Sequence, residues 1–170
     1  MADIGANYST LPGEFSDGAI EGVVFKDLGA YEDGRGWLIE LYRNDELPAE
    51  NQPCMAYISE TLPGVARGPH EHADQSDYFA FIGPGDLRLY LWDVREESPT
   101  FGRCLKQIVG HSNRQVVIIP PGVVHAYKNI SDHPAWVVNL PNRLYAGEGK
   151  SDPVDEIRHE EGDDHPFVLD

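Results

Sequence analysis

Short apolar runs separated by glycine and proline recur along the whole chain. These runs are rich in aromatic and branched side chains, which favour extended strands. In the clearest case Leu87, Leu89 and Leu91 occupy alternate positions, as expected for a half-buried strand. The runs that predict strands are 22–28, 37–42, 55–60, 78–82, 87–92, 105–109, 115–119 and 135–140. No long helical periodicity or internal repeat interrupts them, so the pattern predicts an all-β jelly roll.

Length and charge narrow the choice of architecture and partner. The 170 residues suffice for one domain, and we expect residues 1–170 to form a single domain with an N-terminal strand extension and an acidic C-terminal tail. Lys and Arg number 13 against 29 Asp and Glu, a formal net charge of −16, which disfavours nucleic acid and anionic membranes as partners. Much of this acidity lies in residues 152–164, which we expect to be a solvated flank.

The first residues and the cysteines bear on cellular location. Residues 1–8 lack a basic region followed by an apolar stretch, so they predict no signal peptide, and no run is long enough to span a bilayer. Cys54 and Cys104 stand beside apolar residues, as buried thiols do. We therefore expect a cytoplasmic protein with reduced cysteines.

Three histidines and one aspartate carry the candidate chemistry. His70 and His72 are two residues apart in an extended segment, so they project to the same side, and a turn lets Asp77 return to that side. The turn residues 120–122 can aim His125 at the same point from another strand. Imidazoles with a carboxylate suit Fe, Mn, Ni, Co or Zn. These four residues predict an open divalent-metal site.

The same segments resemble the two motifs of the cupin superfamily, whose fold is a double-stranded β-helix barrel. Residues 64–72 followed by Asp77 resemble Gly-x5-His-x-His with a later acidic residue, and residues 120–129 resemble Pro-x-Gly-x2-His-x3-Asn. Two departures occur: Asp77 replaces the usual Glu, and Arg114 stands where a glycine is expected upstream of the second motif.

A more specific resemblance covers most of the chain. Four segments in the right order resemble the dTDP-4-dehydrorhamnose 3,5-epimerase family: residues 33–40, Arg67-Gly68-Pro69-His70, the string Asp-x-Arg-x-x-Ser-Pro-Thr-Phe-Gly at 93–102, and residues 119–125. The string at 93–102 is the sharpest match. The resemblance implies a jelly-roll homodimer that inverts carbon centres beside the keto group of a nucleotide sugar, which makes the chain an isomerase.

The resemblance also implies roles for individual residues. The family's histidine that removes a proton beside the carbonyl matches His70, and the family's later tyrosine matches Tyr145, so these two are the catalytic candidates. Asn139 stands where the family has the tyrosine that acts as the catalytic acid. An amide can donate a hydrogen bond but cannot act as a proton donor at ordinary pH. The candidates for substrate binding are Arg35, Glu40, Arg67, His125 and Asn139.

Two departures from the family fall in one pocket and suggest a metal. Asp77 stands where the family has a lysine that stabilises the enolate oxygen. His72 stands where the family commonly has a glutamine. These replacements remove a cation and supply two metal ligands, so a divalent ion would stabilise the enolate as a Lewis acid in the lysine's place. His70 would then be a ligand and not easily the base as well, which leaves Tyr57, Glu60, His111 and Tyr127 as loose candidates for the base.

Three functions remain open at this point. The first is a carbohydrate epimerase that binds a nucleotide sugar. The second is a metal-dependent cupin of another class, such as a dioxygenase or lyase acting on a small organic acid, with His70, His72, Asp77 and His125 as ligands. The third is a non-catalytic sugar-binding relative.

Other conspicuous residues are expected to be structural. Asp93 and Arg95 are expected to form a pair that pins the turn after them. We expect Trp37, Trp92 and Trp136 to pack in the core or at a dimer interface.

Overall fold

The computed structural model describes residues 8–162 and 164–170. The strands, numbered β1 to β13 in chain order, are Ser16–Asp17, Val24–Asp27, Ala30–Asp33, Gly36–Ile39, Tyr57–Thr61, Ala66–Glu71, Asp77–Pro84, Asp86–Asp93, Arg103–Gly110, Gln115–Ile119, Val123–Asn129, Ala135–Asn139 and Ile157–Arg158. The described helices are short 3-10 turns at Tyr8–Thr10, Asn44–Glu46, Ala49–Asn51, Glu148–Lys150 and His159–Glu161. The segment 1–7, on which the absence of a signal peptide was predicted, lies outside the described residues.

Two large sheets make up the body of the protein. One has six strands in the order β1-β9-β8-β11-β6-β13, and the other has five in the order β2-β10-β7-β12-β5. A separate hairpin pairs β3 with β4. Every ladder is antiparallel except that between β1 and β9. Each of the eight runs predicted from the sequence overlaps a strand, and the all-β jelly-roll prediction is confirmed.

Side chains at alternate positions build the core between the two sheets. On β8, Leu87, Leu89 and Leu91 are at most 1% exposed and pack against Phe79 and Phe81 of β7 in the facing sheet. This is the predicted alternation, because successive residues of a strand point to opposite faces. The core therefore lies between the sheets, and every second residue of each core strand points into it.

The outer faces of both sheets are also covered. Tyr90 and Trp92 of β8 point away from the central core and pack with Phe167 near the C-terminus, which is 1% exposed. On the five-stranded sheet, Tyr78 and Val116 pack with residues of the segment after β4. Trp92 is thus a core residue, as predicted, whereas Trp37 and Trp136 are 53% and 43% exposed.

The pairing of β6 with β11 positions the histidines. His125 lies opposite His70 in the antiparallel register. On β11, His125 points to the same face of the sheet as the core residues Val123 and Tyr127. Gly68 has a φ of +81°, and a Cβ there would lie 2.5 Å from the His125 carbonyl oxygen. Only glycine therefore allows the two strands to approach so closely beside His70.

The acidic C-terminal tail packs onto the domain. β13 pairs with β6, with Ile157 opposite Glu71 and Arg158 opposite His70. The expectation of a solvated flank is therefore wrong for this part of the tail, although Asp152 and Glu161 are exposed. β13 is therefore the edge strand of the six-stranded sheet and covers β6, which would otherwise be the edge strand.

The part of the chain that the structure describes contains no helix with the length and apolar character needed to cross a bilayer.

A buried carboxylate organises the turn after β8. Asp93 is 0% exposed and accepts hydrogen bonds from Arg95 Nε at 2.8 Å, from Ser98 Oγ at 2.6 Å and from Thr100 Oγ1 at 2.6 Å. Burial acts to raise the pKa of Asp93, but these donors outweigh it and lower the pKa to about 2. The sharpest string of the family resemblance is thus a structural element, as expected for Asp93 and Arg95.

We predict that Asp93→Asn destabilises the fold in a pH-dependent way. Because the folded-state pKa lies below the ordinary value of 3.8, the carboxylate stabilises the fold above about pH 4, and this contribution disappears as the pH falls towards 2. The variant should lose about 2 kcal/mol of unfolding free energy at pH 7 in urea titrations. The gap should narrow below pH 4. The exposed Asp132→Asn serves as control, and a gap that stays constant with pH would contradict this prediction.

Candidate active site

A cavity of about 830 Å³ opens beside β6. Its walls come from β5, β6, β7 and β11, from the segment after β12 and from the C-terminal segment. The residues that line it include Tyr57, Arg67, His70, His72, Gln75, Tyr127, Tyr145, Asp152, Asp155, Glu156 and Glu160. This size is ample for a small organic ligand.

The three predicted histidines converge at the wall of this cavity, where His70 and His72 line it and His125 is 1% exposed. The ring centroids of His70 and His125 are 4.4 Å apart, and that of His72 lies 5.9 Å from each. One nitrogen from each of the three rings lies within 4.8 Å of the others. Two distant stretches of chain thus bring their imidazoles to one point, as the spacing predicted.

Asp77 joins this cluster at the start of β7. Its side chain is 1% exposed, and its Oδ2 atom lies 3.1 Å from Nε2 of His125 and 3.3 Å from Nε2 of His72. Its other oxygen, Oδ1, accepts hydrogen bonds from Gln75 Nε2 at 2.9 Å and Asn139 Nδ2 at 2.8 Å. The amides hold one carboxylate oxygen and leave the other facing the histidines.

The outer nitrogens of two rings are committed to backbone carbonyls. Nδ1 of His125 lies 3.0 Å from the Val123 oxygen, and Nδ1 of His72 contacts the Asp155 oxygen. A carbonyl only accepts, so both Nδ1 atoms carry a hydrogen. In the neutral rings the lone pairs on Nε2 therefore face Oδ2 of Asp77. Such an arrangement of acceptors requires a proton or a cation among them.

Three buried atoms of this cluster have no hydrogen-bond partner. Among the described residues, the buried side-chain nitrogens and oxygens in this state are His70 Nδ1, Asp77 Oδ2 and His125 Nε2. Buried polar atoms are almost always paired. Three unpaired atoms on adjacent side chains, all of types that bind transition metals, fit the donor set of a divalent ion.

The charges of the cluster follow from burial and from its own members. Burial and the neighbouring His125 lower the pKa of His70 to about 2, so its imidazole is neutral. Burial also acts to lower the pKa of His72, but hydrogen bonding to Asp77 outweighs it and raises the pKa to about 9. For Asp77 burial acts to raise the pKa, but His125 and His72 dominate and lower it below its ordinary value. These shifts leave the His70 imidazole neutral and the Asp77 carboxylate ionised among the imidazoles.

Two carboxylates of the C-terminal segment flank His70. Oε1 of Glu156 lies 4.0 Å from Nε2 of His70, and Oε1 of Glu160 lies 3.8 Å from Nδ1. Sequence reasoning missed both, because an acidic tail has no apolar pattern from which its pairing with β6 could be inferred. The cavity wall around the neutral imidazole is thus acidic.

The predicted substrate-binding residues are dispersed. Arg67 lines the cavity and donates to the Glu60 carbonyl oxygen at 2.8 Å and to the Thr61 hydroxyl at 3.1 Å. Asn139 is 1% exposed and donates to Asp77 and to the Tyr57 hydroxyl, so its amide supports the cluster from behind. His125 is equally buried and belongs to the cluster.

Arg35 and Glu40 lie outside the cavity of their own chain. Arg35 sits in the turn between β3 and β4, where it pairs with Asp33 and is 91% exposed. Oε2 of Glu40 lies 3.7 Å from Nη1 of Arg43, and the Glu40 side chain is half exposed. The structure therefore does not bring these two residues together with His70.

The tyrosines of the cavity differ in their surroundings. Tyr145 is 53% exposed at the cavity wall. Tyr57 is 47% exposed overall, but burial of its hydroxyl raises its pKa to about 12, although the hydrogen bond from Asn139 opposes this. Burial also raises the pKa of Tyr127. Of the four loose candidates for a base, Tyr57 and Tyr127 line the cavity, whereas Glu60 and His111 do not.

Comparison with known proteins places this site in a family. The sequence model of dTDP-4-dehydrorhamnose 3,5-epimerase matches residues 17–152. A protein of Haloferax volcanii named as a probable low-salt glycan biosynthesis epimerase is 39% identical over 138 residues, which cover 81% of this chain and 86% of that one. The spore coat polysaccharide biosynthesis protein SpsL of Bacillus subtilis is 32% identical over 126 residues, or 74% of this chain and 82% of the relative.

Solved structures agree with the fold. The dTDP sugar isomerase of Desulfovibrio desulfuricans superposes with a TM-score of 0.72 at 28% identity, covering 82% of this chain and 84% of that one. NovW, a 4-keto-6-deoxy sugar epimerase of Streptomyces spheroides, superposes with a TM-score of 0.68 at 25% identity over 85% and 72% of the two chains. The resemblance inferred from four sequence segments is thereby confirmed: this chain belongs to the dTDP-4-dehydrorhamnose 3,5-epimerase family, whose members are carbohydrate epimerases of the isomerase class.

Proposed function

We propose that this chain inverts a carbon centre beside the keto group of a nucleotide sugar. The observation that carries the proposal is the neutral imidazole of His70 on the wall of a cavity of about 830 Å³. The carbon acid in such a reaction is weak, so the site must both accept a proton and stabilise negative charge on oxygen. In this proposal His70 is the base, and Tyr145 faces the substrate from the cavity wall.

Charged side chains suit the two ends of such a substrate. Arg67 makes its hydrogen bonds to neutral oxygens and forms no salt bridge within residues 8–162 and 164–170, so its charge is available to a phosphate. Glu156 and Glu160 lie beside His70, where their carboxylates can accept hydrogen bonds from sugar hydroxyls. In this proposal the sugar ring lies at His70 and the phosphates lie towards Arg67.

The assignment of His70 as the base predicts a large effect of removing its imidazole. His70→Asn should lower solvent deuterium exchange into a 4-keto sugar nucleotide by about 100-fold or more, because the variant lacks the proton acceptor. Mass spectrometry of the recovered sugar nucleotide in D₂O measures the exchange. His133→Asn is the matched control, since His133 is exposed and distant from the cavity lining. Exchange at the wild-type rate in His70→Asn would refute the assignment.

A divalent ion is the second part of the proposal. Nε2 of His72, Nε2 of His125, Oδ2 of Asp77 and one nitrogen of His70 fit its donor set, because two of these rings are already fixed by carbonyls and three of the ligand atoms are unpaired. When bound, such an ion supplies the positive charge that the family's lysine would bring. A neutral imidazole has one lone pair, so His70 serves either as ligand or as base. The cluster also favours the second candidate function, a metal-dependent cupin of another reaction class.

The metal proposal predicts the composition of the purified protein. Protein prepared in chelator-free buffer should contain about one Fe, Mn, Ni, Co or Zn ion per chain by elemental analysis. His72→Ala and Asp77→Asn should lose it, whereas His111→Ala should retain it, because His111 is not part of the cluster. Equal metal content in all four proteins would show that the ion binds elsewhere. Metal-free wild-type protein that is fully active would contradict a role in the reaction.

A homodimer is the third part of the proposal. Tyr31, Trp37 and Leu38 of the β3–β4 hairpin are 72%, 53% and 63% exposed, which gives the hairpin an apolar surface of the kind that interfaces bury. Arg35 lies in the turn of this hairpin and Glu40 just after it. In a dimer formed through the hairpin, these two residues would approach the partner's cavity, which accounts for their distance from their own.

The dimer proposal predicts that Leu38→Asp yields a monomer. A carboxylate at the centre of an apolar interface is costly to desolvate, so the molar mass from light scattering should fall by half. Val168→Asp is the control, since Val168 is 68% exposed near the C-terminus. A wild-type protein that is monomeric, or a Leu38→Asp variant that stays dimeric, would exclude the hairpin as the interface.

We also propose a cytoplasmic location. Cys54 and Cys104 are both free thiols, although only Cys104 is buried as predicted. Unpaired cysteines are typical of reducing compartments.

A further inference from the structure

The C-terminal segment after residue 152 is a part of the site that the family match does not include. That match ends at residue 152, yet Asp155, Glu156 and Glu160 all line the cavity. Among them, Asp155 makes the largest number of direct contacts to the strand and turn that carry the histidines. A residue beyond the matched range therefore contacts the cluster directly.

Asp155 binds the turn between β6 and β7 through four of its contacts. Its Oδ1 atom accepts the backbone N–H of Ala73 at 2.8 Å, and its Oδ2 atom accepts those of Asp74 at 2.9 Å and Gln75 at 2.8 Å. Its carbonyl oxygen accepts Nδ1–H of His72. One residue thus holds four consecutive positions of the chain.

These contacts govern both sides of the cluster. His72 at one end of the turn has its ring fixed by the carbonyl, so its Nε2 atom points at Oδ2 of Asp77, 3.3 Å away. At the other end, the Gln75 amide holds Oδ1 of Asp77 at 2.9 Å. The turn that Asp155 captures therefore sets the relative position of a histidine and a carboxylate that the cluster needs together.

Asp155 is itself held in place by the segment that follows it. β13 pairs with β6, and the buried His159 links Tyr8 to Glu71, with Nδ1 lying 2.8 Å from the Tyr8 hydroxyl and Nε2 lying 3.0 Å from Oε1 of Glu71. Glu71 lies between His70 and His72 in the sequence, on the opposite side of β6. The C-terminal segment is thus anchored to the same strand whose histidines it positions.

We propose that Asp155 is a positioning residue of the active site, which orients His72 towards Asp77 by capturing the turn 73–75. This inference rests on the proposed function only in that it assigns a use to the oriented ring. Ala73 and Asp74 are exposed, so water would replace the carboxylate as their hydrogen-bond acceptor if Asp155 were removed. Loss of Asp155 should therefore loosen the ring and the turn while leaving the fold intact.

The test compares Asp155→Ala with Asp155→Asn and with Asp152→Ala in the full-length protein. Asp152→Ala is the matched control, because Asp152 lines the same cavity but, within residues 8–162 and 164–170, its side chain makes no hydrogen bond to the turn 73–75. Asp155→Asn keeps the size of the side chain and one carbonyl oxygen, so it should have a smaller effect than Asp155→Ala. It also serves as the folded variant if Asp155→Ala does not fold.

Two readouts are independent of activity. In metal-free protein, NMR should show that the backbone N–H groups of residues 73–75 and the Nδ1–H of His72 exchange faster with solvent in the Asp155 variants than in wild type. In titrations with Co²⁺, followed by its visible absorption, the affinity should fall by about 10-fold to 100-fold in Asp155→Ala, as is typical when a partner of a metal-binding histidine is lost. Asp152→Ala should match wild type in both measurements.

The outcomes separate this inference from the proposed function. Wild-type exchange rates at residues 72–75 in folded Asp155→Ala or Asp155→Asn would overturn the positioning role, whatever the reaction is. If wild-type protein binds no Co²⁺, the metal proposal fails, but faster exchange in the Asp155 variants still supports the positioning of His72. Faster exchange together with weaker Co²⁺ binding supports both.

Discussion

The antiparallel pairing of β6 with β11 is the constraint on which the site depends. It sets His125 opposite His70, and the absence of a side chain at Gly68 lets the two strands lie close enough for their ring centroids to be 4.4 Å apart. A slip of one residue in this register would turn one histidine to the other face of the sheet. The largely buried strand β8 pairs with β11 along its other edge and helps to hold that register in place.

The electrostatics of the cluster follow from the same geometry. Burial keeps His70 neutral, while Asp77 keeps a negative charge among imidazoles. The carbonyls of Val123 and Asp155 turn two ring nitrogens towards that charge. A buried set of acceptors with unpaired atoms is costly unless it holds a proton or a cation. In the proposed site, a set of ligands for a divalent ion takes the place of the lysine that the family resemblance implies at position 77.

The sequence predicted the strands that have apolar alternation, and it predicted that His70, His72, Asp77 and His125 would meet. It did so because strand parity follows directly from spacing along the chain. β13 was not predicted, since Ile157 and Arg158 lie in an acidic stretch without any apolar period. The roles of Asp155 and Glu160 were missed for the same reason, as tertiary pairing with β6 alone brings them to the cavity. The positions of Arg35 and Glu40 depend on the β3–β4 hairpin. The spacing of residues along the sequence does not show which surface that hairpin contacts.

The most direct test of the central claim is anomalous X-ray scattering from crystals of protein purified without chelator. We expect one anomalous difference peak about 2.0–2.2 Å from Nε2 of His72, Nε2 of His125 and Oδ2 of Asp77, as for a divalent transition metal bound by imidazole and carboxylate. Density with the three histidine rings turned towards different cavities, or a well-ordered cluster without any such peak, would contradict the account.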